Sequence, residues 1–466
     1  MNKNIHHTIL KTVFIAVLFA LNLSASGQKY EIAFQLKNLP DSVCYLAQYR
    51  GENILLQDTS LVENGKAVFK GDTTLTPGMY VLAGESNNKI LDFLVDDQQQ
   101  FSASLDMEKP VAKNITFKNS QENKLFYKYV SFLNQKQKQM QELQQQLKAE
   151  DGNKDALRNQ MRKINREVGT FQSEFSENNE GTFAAAFVKA SRQITVPDSI
   201  TDKRKQYEYY KTHYWDNIPL DDDRMLHTPF FHDHWETYMD KVVRQHPDSL
   251  IAAVDLLLEK APDDSEMYKY LLWESTQKYE QSKIMGFDAV FTHIALNYFK
   301  KGRTSDINDQ VVENIIERGE TLKNLLLGKT TPNLVMQDTN RKPHQLHEVD
   351  ADYTVVAFWD SECGHCKEVI PKLAEFYNEN AEKYNLEVFA VSTDTSISKW
   401  KDFINKHQLN WINVNGYWSY TKDFHDLYDI YSTPVIYLLD KDKAIIGKRI
   451  SVPQIEEVIQ NKQGMN

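Results

Sequence analysis

The chain has 466 residues, 41% apolar and 26% charged, with a formal net charge of −11. That is enough chain for roughly two to four domains and too apolar for wholesale disorder, and nothing broad and basic is present to serve a nucleic acid or an anionic membrane. Three cysteines, two of them in one motif, exclude the disulfide framework of a small stapled protein.

Residues 1–27 read as a secretory signal peptide. Lys3 precedes the run Ile9–Leu23, which is apolar apart from Lys11, Thr12 and Asn22, and the small residues Ser24-Ala25-Ser26-Gly27 follow. The run falls short of the roughly 20 apolar residues that span a bilayer. Retention as an N-terminal anchor is the alternative; no cysteine after the run could carry a lipid. The mature chain is expected to be exported and soluble in the periplasm or cell envelope.

Residues 28–113 are expected to form a small antiparallel β domain, a sandwich or partly closed barrel. Short alternating runs such as Ile32–Leu36, Val43–Tyr49, Lys66–Phe69, Met79–Leu82 and Ile90–Val95 are separated by breakers such as Glu63-Asn64-Gly65 and Thr76-Pro77-Gly78. Cys44, inside one run, reads as a small buried hydrophobe, with a third redox thiol as the alternative.

Residues 114–328 are expected to be all-α. Asn119–Glu150 and Ala156–Phe175, broken at Asp151-Gly152-Asn153, suggest an αα-hairpin, and further helices follow between Pro197, Pro219 and Pro262. His227, His232 and His234 fall in this region. Their spacing matches no metal-binding pattern, so they are expected at the surface or its boundary.

Residues 329–466 read as an α/β sheet domain, because strands such as Tyr353–Trp359, Leu386–Val391 and Val435–Leu439 alternate with helices over Lys367–Lys383 and Ile397–His407. Cys363-Gly364-His365-Cys366 lies at a strand-to-helix junction. A thiol there meets the unpaired amides and dipole of a helix N-terminus, which favour thiolate. Cys363 is therefore the expected nucleophile, and Cys366, one turn along, is placed to resolve a mixed disulfide on it. A zinc site would need a second ligand pair, which the sequence does not offer; neither metal nor cofactor is expected.

Residues from about 330 to 462 resemble the thioredoxin superfamily, on the periplasmic, membrane-side branch of TlpA- and ResA-like thiol–disulfide proteins. The resemblance rests on Phe358-Trp359 before the motif, Cys363-Gly364-His365-Cys366, Pro371 in the following helix, and Ser432-Thr433-Pro434 before a strand. The order of a β domain, a helical domain and this module is similar to Bacteroidetes-type proteins. The resemblance implies a cis Pro434 facing the dithiol and a Thr433 whose backbone pairs with a bound substrate chain. Trp359, Gly364 and His365 complete the implied substrate-contact set.

Two departures bear on proton transfer and thiolate formation. Ala357 stands where many thioredoxins carry a buried carboxylate. Glu362, immediately before Cys363, should oppose thiolate formation or serve in proton transfer. His365 gives the Cys-Gly-His-Cys sequence of disulfide isomerase sites, and a cation there would make the couple more oxidising. The expected activity is disulfide exchange with protein substrates, as a reductant recharged by a membrane or periplasmic partner. Peroxidase activity at Cys363 is a weaker alternative, and the rival of another class is an envelope binding or assembly protein with an incidental or regulatory dithiol.

Overall fold

A computed structural model describes residues 29–86, 88–149, 154–304 and 306–464. The expected signal peptide lies outside the described residues. The chain divides into two compact units, one running to Tyr49 and from Asn53 to Val188, the other comprising Arg50–Glu52 and the chain from Lys189 onward.

The first unit is built on eight strands: β1 (Tyr30–Lys37), β2 (Val43–Arg50), β3 (Asn53–Glu63), β4 (Lys66–Gly71), β5 (Gly78–Gly84), β6 (Lys89–Val95), β7 (Gln100–Asp106) and β8 (Thr116–Lys118). They hydrogen-bond in the order β6-β5-β2-β3-β4-β1-β7-β8. Period-two alternation sends Ile32, Phe34 and Leu36 of β1 into a core with Phe69, Phe93 and Phe101. The described pairings are antiparallel except β1 with β7, which runs parallel with Ile32 opposite Phe101. Strand β3 escapes the pattern reading because Ile54, Leu55 and Leu56 follow one another and are all exposed. Cys44 is fully buried in this core, and burial pushes its thiol up to about 11.

A single turn, α1 (Val111–Asn114), precedes the long helices α2 (Gln121–Ala149) and α3 (Lys154–Asn178), and α4 (Phe183–Ala190) closes the unit. Helices α2 and α3 are antiparallel: Phe132 stacks on Phe171 at 3.9 Å, and Lys136 pairs with Glu167 at 2.5 Å. The pair is fixed to the edge strand β6 by Asn123, whose carboxamide accepts from the Leu94 amide at 2.8 Å and donates to the Leu94 carbonyl at 2.7 Å. One side chain thus replaces a missing strand partner.

In the second unit, helices α5 (Lys203–His213), α6 (Phe231–Thr237), α7 (Pro247–Lys260), α8 (Glu266–Glu280), α9 (Asp288–Ile294) and α10 (Asp309–Lys323) precede the sheet. Asp202, Ser265 and Asn308 cap α5, α8 and α10 through their side chains, and Pro247 opens α7. His232 and His234 are half-buried at the boundary expected of them, but His227 is not. His227 is buried beside Glu266, and His234 stacks on Tyr214 at 4.1 Å, where burial lowers its pKa to about 4. Tyr214 and Trp215, just past the end of α5, supply cover for His234 that local spacing could not reveal. Among the described residues no cluster of three or more His, Cys, Asp or Glu could hold a metal ion.

The C-terminal sheet comprises β9 (Val335–Asp338), β10 (Pro343–Gln345), β11 (Tyr353–Trp359), β12 (Leu386–Ser392), β13 (Ile412–Ser419), β14 (Val435–Asp440) and β15 (Ile445–Lys448), in the order β10-β9-β13-β12-β11-β14-β15. β12 pairs parallel with both β11 and β13, while β14 runs antiparallel to β11. Helices α11 (Gly364–Tyr384), α12 (Ile397–His407), α13 (Phe424–Leu427) and α14 (Val452–Gly464) complete it. Alternate residues of β11 serve two cores. Val355, Ala357 and Trp359 face Cys366, Ile370, Trp400 and Ile455 from α11, α12 and α14; Val356 and Phe358 face Phe424, Tyr428 and Leu325. Helices on both faces of a parallel centre bring the C-terminal ends of β11, β12 and β13 to one edge.

Candidate active site

Strand β11 ends at Trp359, and the short segment Asp360-Ser361-Glu362 turns the chain into α11. The turn closes on itself: the Glu362 amide donates to Asp360 Oδ1 at 2.7 Å, and the Cys363 amide to the Asp360 carbonyl at 3.2 Å. Cys363 is the residue ahead of the helix, with extended backbone (φ −66°, ψ 124°), and its carbonyl receives the Lys367 amide at 3.1 Å. Its sulfur thus sits among amides with no partner inside the helix.

The two thiols occupy different environments. Cys363 is half-buried, whereas Cys366 is fully buried, and both are free thiols. Partial burial opposes ionisation of Cys363, but the Cys366 amide and thiol, the Thr433 side chain and the His365 amide outweigh it and hold its pKa below the ordinary thiol value. Burial pushes the Cys366 thiol up to about 12, against a weak contribution from the Asp360 amide 3.5 Å away. Ala357, lying in the same core as Cys366, offers no carboxylate to accept the Cys366 proton.

The Thr433–Pro434 peptide is cis. It precedes β14, whose Val435 lies opposite Phe358, so the segment meets the edge where β11 ends. The Cys363 thiol donates to the Thr433 carbonyl at 3.4 Å. That bond belongs to the protonated thiol; the helix amides favour the thiolate. Gly364 and His365 are exposed beside Cys363, and Thr433 and Pro434 are half-buried. Trp359 does not join them. It is fully buried, its ring 5.0 Å from that of Phe403 on α12, so the expected substrate contact is corrected to a core residue. An inward position on β11 decides this.

Glu362 is exposed and ion-paired with Lys399 of α12 at 2.5 Å, which holds its carboxyl below the usual carboxylate range. Lys399 thereby offsets the charge expected to oppose the thiolate.

Sequence reasoning missed Asp394, which is buried just beyond β12. Its carboxylate accepts from the Ser361 amide at 3.1 and 2.9 Å, the Ser361 hydroxyl at 2.5 Å and the Ser392 hydroxyl at 2.7 Å. The available signal was positional: a polar residue just past the C-terminal end of a parallel strand, where open α/β sheets place their sites.

Three family models match the chain: a domain of unknown function (DUF4369) over residues 30–126, a second (DUF5106) over 149–321, and a thioredoxin-like model over 350–445. The last range contains both cysteines, Thr433 and Pro434. Among curated relatives, the thiol-disulfide oxidoreductase ResA of Bacillus thuringiensis subsp. konkukian is 26% identical over 123 residues, covering 26% of this chain and 67% of the relative. ResA of Bacillus subtilis is 24% identical over 119 residues, covering 26% and 64%. A solved domain of a possible thiol-disulfide isomerase from Cytophaga hutchinsonii is 39% identical, covering 30% of this chain and 95% of its own, with a TM-score of 0.28. A thioredoxin-like protein from Bacteroides caccae, 19% identical, covers 58% of this chain and 98% of its own with a TM-score of 0.47.

Proposed function

Since the chain belongs, through its C-terminal domain, to the thioredoxin superfamily on the TlpA- and ResA-like branch, we propose that it is a thiol–disulfide oxidoreductase that reduces protein disulfides in the cell envelope. The observation that carries this reading is the unequal pair of thiols. A half-buried Cys363 with a lowered pKa heads α11, and a buried Cys366 lies one turn behind it.

The Cys363 thiolate attacks one sulfur of a substrate disulfide, forming a mixed disulfide and releasing the other substrate sulfur, which takes up a proton. Cys366 then loses its proton and attacks the Cys363 sulfur, releasing the second substrate thiol and leaving a Cys363–Cys366 disulfide. The substrate gains two electrons and two protons; the domain supplies both electrons and the Cys366 proton, and solvent supplies the other proton. A membrane or periplasmic dithiol partner restores the reduced pair. The high pKa of Cys366 keeps it protonated while Cys363 makes the first attack. Thr433, Gly364 and His365 border the entering chain, Thr433 through its backbone, with Pro434 shaping the bend, and Glu362, charged and tied to Lys399, borders it on the α12 side.

Envelope location is supported by the signal-like composition of residues 1–27. No helix among the described residues is long and apolar enough to cross a membrane.

The test is trapping. Cys366→Ala, expressed in the native envelope and isolated without reductant, should carry client proteins linked through Cys363. Adducts that persist when Cys363→Ser is added would refute the reading, and the couple's reduction potential against its partners fixes the direction.

A further inference from the structure

Three of the four hydrogen bonds to the Asp394 carboxylate come from Ser361, two residues before the nucleophile, and the fourth comes from Ser392. Asp394 is 3% exposed, and among the described residues its carboxylate is met by hydroxyls and an amide rather than by a cation. Fully buried Asn415 steadies the cluster from β13, donating to the Asp394 carbonyl at 3.2 Å and the Ser392 hydroxyl at 3.4 Å. Strands β11 and β12 place Trp359 opposite Ser392, so the loops leaving both strands start side by side. A buried, fully hydrogen-bonded carboxylate is costly to hold, and what it secures here is the geometry of one turn.

We propose that Asp394 is a positioning residue for the exchange reaction: it clamps Ser361, and through Ser361 the turn Asp360–Glu362, so that the Cys363 sulfur stays at the N-terminal amides of α11. The proposal rests on the redox reading of Cys363 and deepens it.

Charge and position act in opposite directions at this site. Asp394 is an anion behind the nucleophile; acting by charge alone, it would disfavour the thiolate, and its neutralisation would favour it. Acting by position, its loss loosens the turn and disfavours the thiolate. The other groups around Cys363 are Asp360, His365 and Lys367 on its own segment, Cys366 beneath, Glu362 paired with Lys399 of α12, and the uncharged Thr433 carbonyl.

The experiment is the pH dependence of iodoacetamide alkylation at Cys363 in the reduced full-length chain, followed by peptide mass, for wild type, Asp394→Asn and Ser361→Ala. The inflection is expected to move upward, by about one unit in Asp394→Asn and less in Ser361→Ala, which keeps the amide bond. A downward move in Asp394→Asn, or an inflection unchanged in both variants, overturns the proposal. If Asp394→Asn does not fold, Ser361→Ala decides alone. A Cys366→Ala chain that traps no client would refute the redox reading and leave this alkylation result standing.

Discussion

The thiol of Cys363 and the carbonyl of Thr433 lie 3.4 Å apart although 70 residues separate them. The antiparallel pairing of β14 with β11 brings them together: the start of one strand meets the end of the other at the edge where α11 begins.

The inequality of the two thiols predicts a selective alkylation profile. At pH 7–8, iodoacetamide should modify Cys363 within the time that leaves Cys366 and Cys44 untouched, because those thiols ionise only near pH 12 and 11 and are buried. Reactivity at Cys363 should rise with pH through an inflection below the ordinary thiol value. Mass mapping of the alkylated peptides reads this directly. Equal labelling of Cys363 and Cys366 at neutral pH contradicts the assignment of nucleophile and resolver.

The Glu362–Lys399 pair predicts a charge effect of known sign. Lys399→Ala leaves the Glu362 carboxylate uncompensated next to Cys363 and should raise the alkylation inflection of Cys363; Glu362→Gln should lower it. Both shifts should shrink in 1 M salt, where screening acts within about 3 Å. The pair is exposed, so neither substitution should alter the melting temperature noticeably.

Trp359→Phe tests the reassignment of that residue to the core. The indole Nε1 has no hydrogen-bond partner among the described residues, so its removal recovers part of what the smaller ring forfeits in packing. A cost of about 1 kcal/mol in chemical unfolding is expected, with the exchange rate close to wild type. A large loss of exchange at unchanged stability would return Trp359 to the substrate surface.

In the first unit, Asn123→Ala removes the only side chain described as pairing both the amide and the carbonyl of Leu94. Two buried backbone groups are left without partners, which should cost about 2–4 kcal/mol. Urea unfolding of the full chain should show the loss in the transition of this unit, with Cys363 alkylation unchanged.

What the sequence determined by itself is local. Cys363 and Cys366 at one-turn spacing behind the run Tyr353–Trp359 specify a dithiol at a helix N-terminus, since a helix start and its free amides are set by adjacent residues. The same locality gave the alternating strands of the first unit and the long pair α2 and α3, but not β3, whose three consecutive apolar residues carry no period. Tertiary structure decided which distant groups meet the local motif. Lys399 reaches Glu362 from α12, Asp394 reaches Ser361 from beyond β12, Phe403 closes over Trp359, and Tyr214 buries His234. Alternation tells which face of a strand a residue takes, but the register and order of strands determine what waits there. Those depend on contacts among residues far apart in the chain, so no short stretch of sequence states them.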